Sequence, residues 1–154
     1  MPAVQNSYAA AYAPGFPGMV ANGETSNRLS RTVEDVSGLG FGRAAFRGVG
    51  DHGVTGTPSA TAGAFMGITI ADPTVTPVPG GTAADVYPQF ASAGILNDGV
   101  IWVTAGSNTT DGAPAYVTSG GAFSASSTSN SAIPAVFDDT VASGALVRLR
   151  VRRG

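Results

Sequence analysis

Glycine and proline punctuate this chain so closely that no window of twelve residues free of both carries a convincing helical stripe. Proline removes a backbone donor and clashes with the preceding turn, and a mid-helix glycine costs about 1 kcal/mol relative to alanine. With 22 glycines and 10 prolines in 154 residues, what survives between the breaks is a series of short β-prone runs. Glycine and proline still make up only about a fifth of the chain, below the roughly 25–30% at which low complexity becomes the better reading. Apolar residues reach 43%, enough for a folded core. The chain is therefore expected to fold into short strands joined by turns.

The last of these runs is the clearest. Val147, Leu149 and Val151 fall on one face and Arg148, Arg150 and Arg152 on the other, the period of two that marks a half-buried strand. Upstream, Phe41 to Arg47, Ala64 to Ile70 and Val86 to Ala93 read as strands, the last edge-like because Pro88 interrupts it. Asn97-Asp98-Gly99 has the composition of a tight turn. Val100 to Thr104 follows as a continuous apolar run suited to a strand buried on both faces. Ala115-Tyr116-Val117 and Ala122-Phe123 flank Thr118-Ser119-Gly120-Gly121 as a hairpin. Segments 55–62, 72–85 and 124–132 read as loops. The pattern predicts an all-β fold: an antiparallel β-sandwich or barrel-like domain, jelly-roll or related, over residues 28–154.

Residues 1–27 differ in texture. Tyr8, Tyr12 and Phe16 alternate with alanines, and Pro14-Gly15-Phe16-Pro17-Gly18 suits neither a helix nor a central strand. This part is expected to be an extended N-terminal arm whose aromatics anchor on a neighbouring subunit, and whose first twenty residues can be removed without unfolding the domain. A disordered tail is the alternative.

Only 12% of residues are charged, about half the usual share of roughly 25%. All eight cations are arginine. Free-standing β-proteins commonly blunt sheet edges with lysine, so its absence implies a surface covered by other protein, or a coding bias against lysine. A net charge of −2 provides no basic field for nucleic acid. No run of eighteen apolar residues and no basic-then-apolar leader is present, so neither membrane nor signal peptide is expected. With no cysteine there is no thiolate metal site.

The motifs that could carry chemistry are weak. Gly48-Val49-Gly50-Asp51-His52-Gly53 spells GxGxxG, but a Thr/Gly/Pro loop follows where a dinucleotide site needs a helix. His52 is the only histidine, and its neighbour Asp51 is badly placed to orient it. Asp138-Asp139 are adjacent and cannot face each other across a cleft. No catalytic, metal or cofactor site is expected. The row Arg148, Arg150, Arg152 does need an explanation. Like charges about 7 Å apart along a strand repel by ~0.6 kcal/mol in water and more at an interface. The row is either a solvated face or pairs with carboxylates of a neighbouring subunit.

In order and spacing, the motifs resemble the structural cement, or head-decoration, proteins of tailed phages. The resemblance runs from Tyr12-Ala-Pro-Gly-Phe-Pro-Gly-Met19 through Phe41-Gly-Arg-Ala-Ala-Phe-Arg-Gly48 and Phe65-Met-Gly-Ile-Thr-Ile70. It continues with Gly99-Val-Ile-Trp-Val103, Asp111-Gly-Ala-Pro-Ala-Tyr-Val117, Gly121-Ala-Phe123, Ile133-Pro-Ala-Val-Phe137 and Ser143-Gly-Ala-Leu-Val-Arg-Leu149. Relatives often read Gly-Asp just before the residue matching Tyr116; here Asp111-Gly112 lies further upstream. The resemblance implies a non-enzymatic protein made in a bacterial cytoplasm that decorates the exterior of the capsid. Its partners would be the major capsid protein and itself, as a dimer or trimer. Tyr8, Tyr12, Phe16, Arg148, Arg150 and Arg152 are the candidate interface residues. Another virion station, a tail or receptor-binding β-module, is the alternative, although Trp102 in its apolar run is a poor sugar platform.

Overall fold

A computed structural model of the protein describes residues 13–58, 64–75 and 84–152. Among them are eleven strands and no helix. They are β1 (Asn27–Val33), β2 (Leu39–Gly40), β3 (Ala44–Arg47), β4 (Gly53–Thr55), β5 (Phe65–Thr69), β6 (Val86–Tyr87), β7 (Ser92–Thr104), β8 (Pro114–Val117), β9 (Phe123–Ser124), β10 (Ser131–Phe137) and β11 (Leu146–Val151). Nine of them form one sheet in the order β1-β4-β3-β5-β7-β11-β10-β8-β9.

This sheet closes on itself. β1 pairs with β7 as well as with β4, so β1, β4, β3, β5 and β7 make a barrel-like ring. Beyond β7, the strands β11, β10, β8 and β9 curl back until Phe123 bridges Ala105, just past the end of β7. The fold is thus two rings sharing one long strand. The smaller pair β2–β6 adds Leu39 and Tyr87 to the interior of the first ring, where they pack with Val33, Ala45, Val54, Ala93 and Ile95. Tyr87 satisfies its phenol by donating to the Ile70 carbonyl at 2.6 Å, and burial pushes its pKa up. The second core holds Phe123, Phe137, Val147, Leu149 and Val151 with Phe46, Ile68 and Leu96 from the first ring's outer face.

A shared strand must change faces, and the Asn97-Asp98-Gly99 segment does this. It is not the tight turn its composition predicts but a β-bulge inside β7. Arg28 pairs with Leu96 and Asn27 with Asp98, leaving Asn97 unmatched. One extra residue inverts side-chain parity. Ala93 and Ile95 therefore face the first core, whereas Ile101, Val103 and Ala105 face the second. Gly99 makes the bulge possible by adopting φ 133°. The residues that favour hairpin turns also favour bulges, because both need a positive φ.

Other expectations shift for local reasons. The strand expected from Phe41 starts only at Ala44, because Gly42 turns the chain at φ 64°. The run Val86 to Ala93 splits at Pro88: Val86–Tyr87 joins β2, and Ser92 opens β7. β1 is a strand that composition does not announce. The expected hairpin of β8 and β9 and the alternating β11 are both present. Ring closure also supplies a third reason for the missing lysines, since a closed sheet has few edges to protect.

A candidate interface at the arginine row

β11 places its arginines on the outer face of the second ring while Val147, Leu149 and Val151 are fully buried beneath. β10 and β11 pair antiparallel with Phe137 opposite Leu149. Once Phe137 is anchored in the core, Asp138 and Asp139 come directly beside the arginines. Asp139 accepts from the Arg148 backbone N–H at 2.9 Å and from its Nε at 3.0 Å. Asp138 accepts from Arg150 Nε at 3.0 Å, with Nη2 at 2.8 Å. Arg150 Nη1 also reaches Glu24 at 2.8 Å. Hydrogen bonding to Arg148 holds the Asp139 carboxyl below the usual carboxylate range. The Arg150 guanidinium is pushed further toward its charged form by Asp138 and Glu24. Carboxylates of the same chain thus do for Arg148 and Arg150 what a neighbouring subunit was expected to do. For Arg152, an exposed residue, no ion pair is formed among the described residues.

The expected arm enters the same site. Its first aromatics, Tyr8 and Tyr12, lie outside the described residues. From Gly18 to Ala21 the chain is hydrogen bonded along the second half of β7. Gly18 N–H donates to the Trp102 carbonyl, Trp102 N–H to that of Met19, and Ala21 N–H to that of Val100, each at 2.8 Å. Val20 packs against the second core. Gly15 rests on the Trp102 indole so closely that a Cβ would come within 2.6 Å of Cδ1. The Arg148 guanidinium carbon lies 5.9 Å from the centre of the same ring, within cation–π range. Phe16 is 55% exposed. It lines an apolar recess of about 450 Å³ with Pro17, Phe41, Ala71, Pro73 and Asp85. Arg148 and Gly15 thus meet at Trp102, and Arg150 reaches the N-terminal segment through Glu24, while Phe16 lines a separate recess. Glu24, Asp138, Asp139 and Trp102 were missed as members of this group. The aspartate doublet and the arginine row, both visible in sequence, become partners once the β10–β11 hairpin is drawn.

The glycine-rich loop has a structural use. It is the β3–β4 turn, closed by Gly48 N–H donating to Gly53 O. Its free amides point at a carboxylate of the same chain: Val49 and Gly50 N–H donate to Glu34 at 2.8 and 2.7 Å. An anion site of this kind is filled by Glu34 itself. His52 is exposed in this turn at φ 61°. Among the described residues, no three His, Cys, Asp or Glu side chains gather as a metal site.

The family model of the structural cement protein (E217 gp24/Pam3 gp6) matches residues 4–152, nearly the whole chain. The protein belongs to the phage structural cement family. A chain in a structure described as the capsid of Myoviridae phage XM1 has a similar fold, with a TM-score of 0.69 at 18% identity over 96% of both chains. The N base of head fiber gp8.5 from bacteriophage phi29 is more distant, with a TM-score of 0.48 at 13% identity, covering 84% of this chain and 97% of that one. No curated protein matches the chain. The cement protein is thus a phage structural protein, associated with the virion, whose fold is all-β with a barrel-like closed sheet.

Proposed function

We propose that this cement protein binds the exterior of the phage head and spans joints between major capsid protein subunits, stabilising the packaged shell. The family match over residues 4–152 is the observation that carries this reading. The fold fits the task. Glu24 of the N-terminal segment and Arg150 of β11 are ion-paired on one face, and an already folded, closed sheet loses less freedom on docking than a segment that must order. Copies repeated over a shell gain strength through multivalency even where each contact is weak. Self-association as a dimer or trimer belongs to the same reading. So does an arm formed by residues 1–12, with Tyr8 and Tyr12 as anchors, while Phe16, Arg148 and Arg152 are the exposed members of the candidate interface. No catalytic step is part of it.

The test compares particles with and without the protein. Heads stripped of it should stay closed but release their genome at lower temperature or lower ionic strength than decorated heads, and adding it back should restore the difference. Equal stability of the two would overturn the cementing role.

A further inference from the structure

Of the six asparagines in the chain, only Asn22 precedes a glycine, a residue with no side chain to shield its nitrogen. Both residues are exposed, and a Cβ built on Gly23 meets nothing within 4 Å among the described residues. The Asn22 side chain folds over its own backbone: Oδ1 accepts from the Glu24 N–H at 3.3 Å, an Asx turn. The ring closed by that bond contains both the carboxamide carbon and the Gly23 nitrogen, which keeps the two close. The Gly23 N–H has no acceptor among the described residues. The comparable Asp-Gly bonds are held: Gly112 N–H donates to Phe137 O at 2.7 Å, and Gly99 lies within β7 opposite Val151. The amides of the other described asparagines are tied down too. Asn27 bonds Asn97, Asn108 accepts from Ser143 N–H, and Asn130 donates to Ser126 O.

We propose that Asn22–Gly23 is a site of self-modification that loosens the N-terminal segment as the protein ages. The Gly23 nitrogen attacks Asn22 Cγ, the Cγ–Nδ2 bond breaks, and ammonia leaves with the proton that the attacking nitrogen gives up. Water then opens the succinimide at either carbonyl, giving aspartate or isoaspartate. Both products add a negative charge two residues from Glu24, the ion-pair partner of Arg150. Isoaspartate also inserts one carbon into the main chain between two anchored points. These are the Ala21 N–H on the Val100 carbonyl and Glu24 on Arg150, so Glu24 loses its register with Arg150.

The purified full chain is kept for several days in mildly alkaline buffer, and each asparagine is followed by mass spectrometry of proteolytic fragments. Acid should accumulate at Asn22 at least ten times faster than at any other asparagine. Its rate should be no more than about threefold below that of the chain unfolded in guanidinium. Gly23→Ala has room for its methyl group and a φ outside the left-handed region, so it should fold unchanged and slow the reaction tenfold or more. A rate at Asn22 that matches the other asparagines, falls further below the unfolded chain, or ignores Gly23→Ala overturns the site. The isoaspartyl fraction, separated by anion exchange, should melt several degrees below the unaltered protein, and Asn22→Asp, which keeps the main-chain length, should lose less. An isoaspartyl fraction that melts with the unaltered protein overturns the loosening.

Discussion

At Gly67 the backbone adopts φ 140°, and a Cβ there would overlap the backbone carbonyl oxygen of Leu96 on the neighbouring strand. Only glycine fits, and the obstruction is backbone that cannot swing aside. Gly67→Ala is expected to destabilise the fold by at least ~2 kcal/mol, combining conformational strain with the displacement of β7. Gly112 is the control. Its φ of 80° disfavours a side chain, but nothing lies within 4 Å, so Gly112→Ala should cost only ~1 kcal/mol. Urea denaturation of both variants measures the contrast. Gly48 and Gly53 answer a different need, since a Cβ at either would overlap the Glu34 carboxylate. The glycines of the GxGxxG run therefore make room for the carboxylate that holds the loop. Glu34→Ala should cost ~1–2 kcal/mol and Glu34→Gln less, because an amide oxygen still accepts from one of the two N–H groups. Equal losses for the two variants would show that the bonds to Val49 and Gly50 do not matter.

The β10–β11 hairpin carries the pH dependence. Arg148 holds the Asp139 carboxyl below its ordinary value, so near that value the folded state binds fewer protons than the unfolded chain. Stability from this pair is therefore present above the unfolded carboxyl pKa of about 3.9 and lost as pH falls through the lower folded value. Arg148 is 46% exposed, so water and salt weaken the pair and the effect is small. Thermal unfolding followed from pH 7 to pH 3 should show a steeper acid decline for the native chain than for Asp139→Asn. Parallel curves would mean that Asp139 contributes nothing. The arginine row was visible in the sequence as a problem of like charges. Its solution is local: one antiparallel turn brings two carboxylates from the other arm of the hairpin, and Glu24 arrives from the N-terminal segment.

For the molecule as a whole, two sequence-based reasons for self-association weaken. The sheet is closed into rings, and Arg148 and Arg150 are paired within the chain. The N-terminal segment remains, and the place to cut it moves. Residues 18–21 give and receive three hydrogen bonds with β7, and Val20 packs on the core. Removing residues 1–12 should leave the circular dichroism of the β-domain unchanged while removing any self-association seen by light scattering, with the concentration dependence of the melting temperature that goes with it, and weakening capsid binding about tenfold or more, ~1.4 kcal/mol. Removing residues 1–21 should instead destabilise the fold by ~2 kcal/mol or more, through lost hydrogen bonds and lost apolar burial. A 1–12 deletion that stays oligomeric and binds heads as tightly as the full chain would place the contacts on the β-domain.

The all-β class followed from the sequence because glycine and proline leave no room for a helix, a local effect that composition reports directly. β11 and the β8–β9 hairpin were equally legible: their periodicity and turn residues act within a few positions. The family, too, was legible from the order of its motifs. What sequence could not decide was where β7 changes partners. Asn97-Asp98-Gly99 supplies a positive φ in a hairpin or a bulge alike, and only the two cores pulling Ile95 and Ile101 to opposite faces select the bulge. β1 escaped notice for a related reason. Its residues are mostly polar or half-exposed, and what makes them a strand is β7 on one side and β4 on the other. Ring closure, the pairing of the arginines and the docking of residues 18–21 arise the same way, from contacts between segments far apart in the chain.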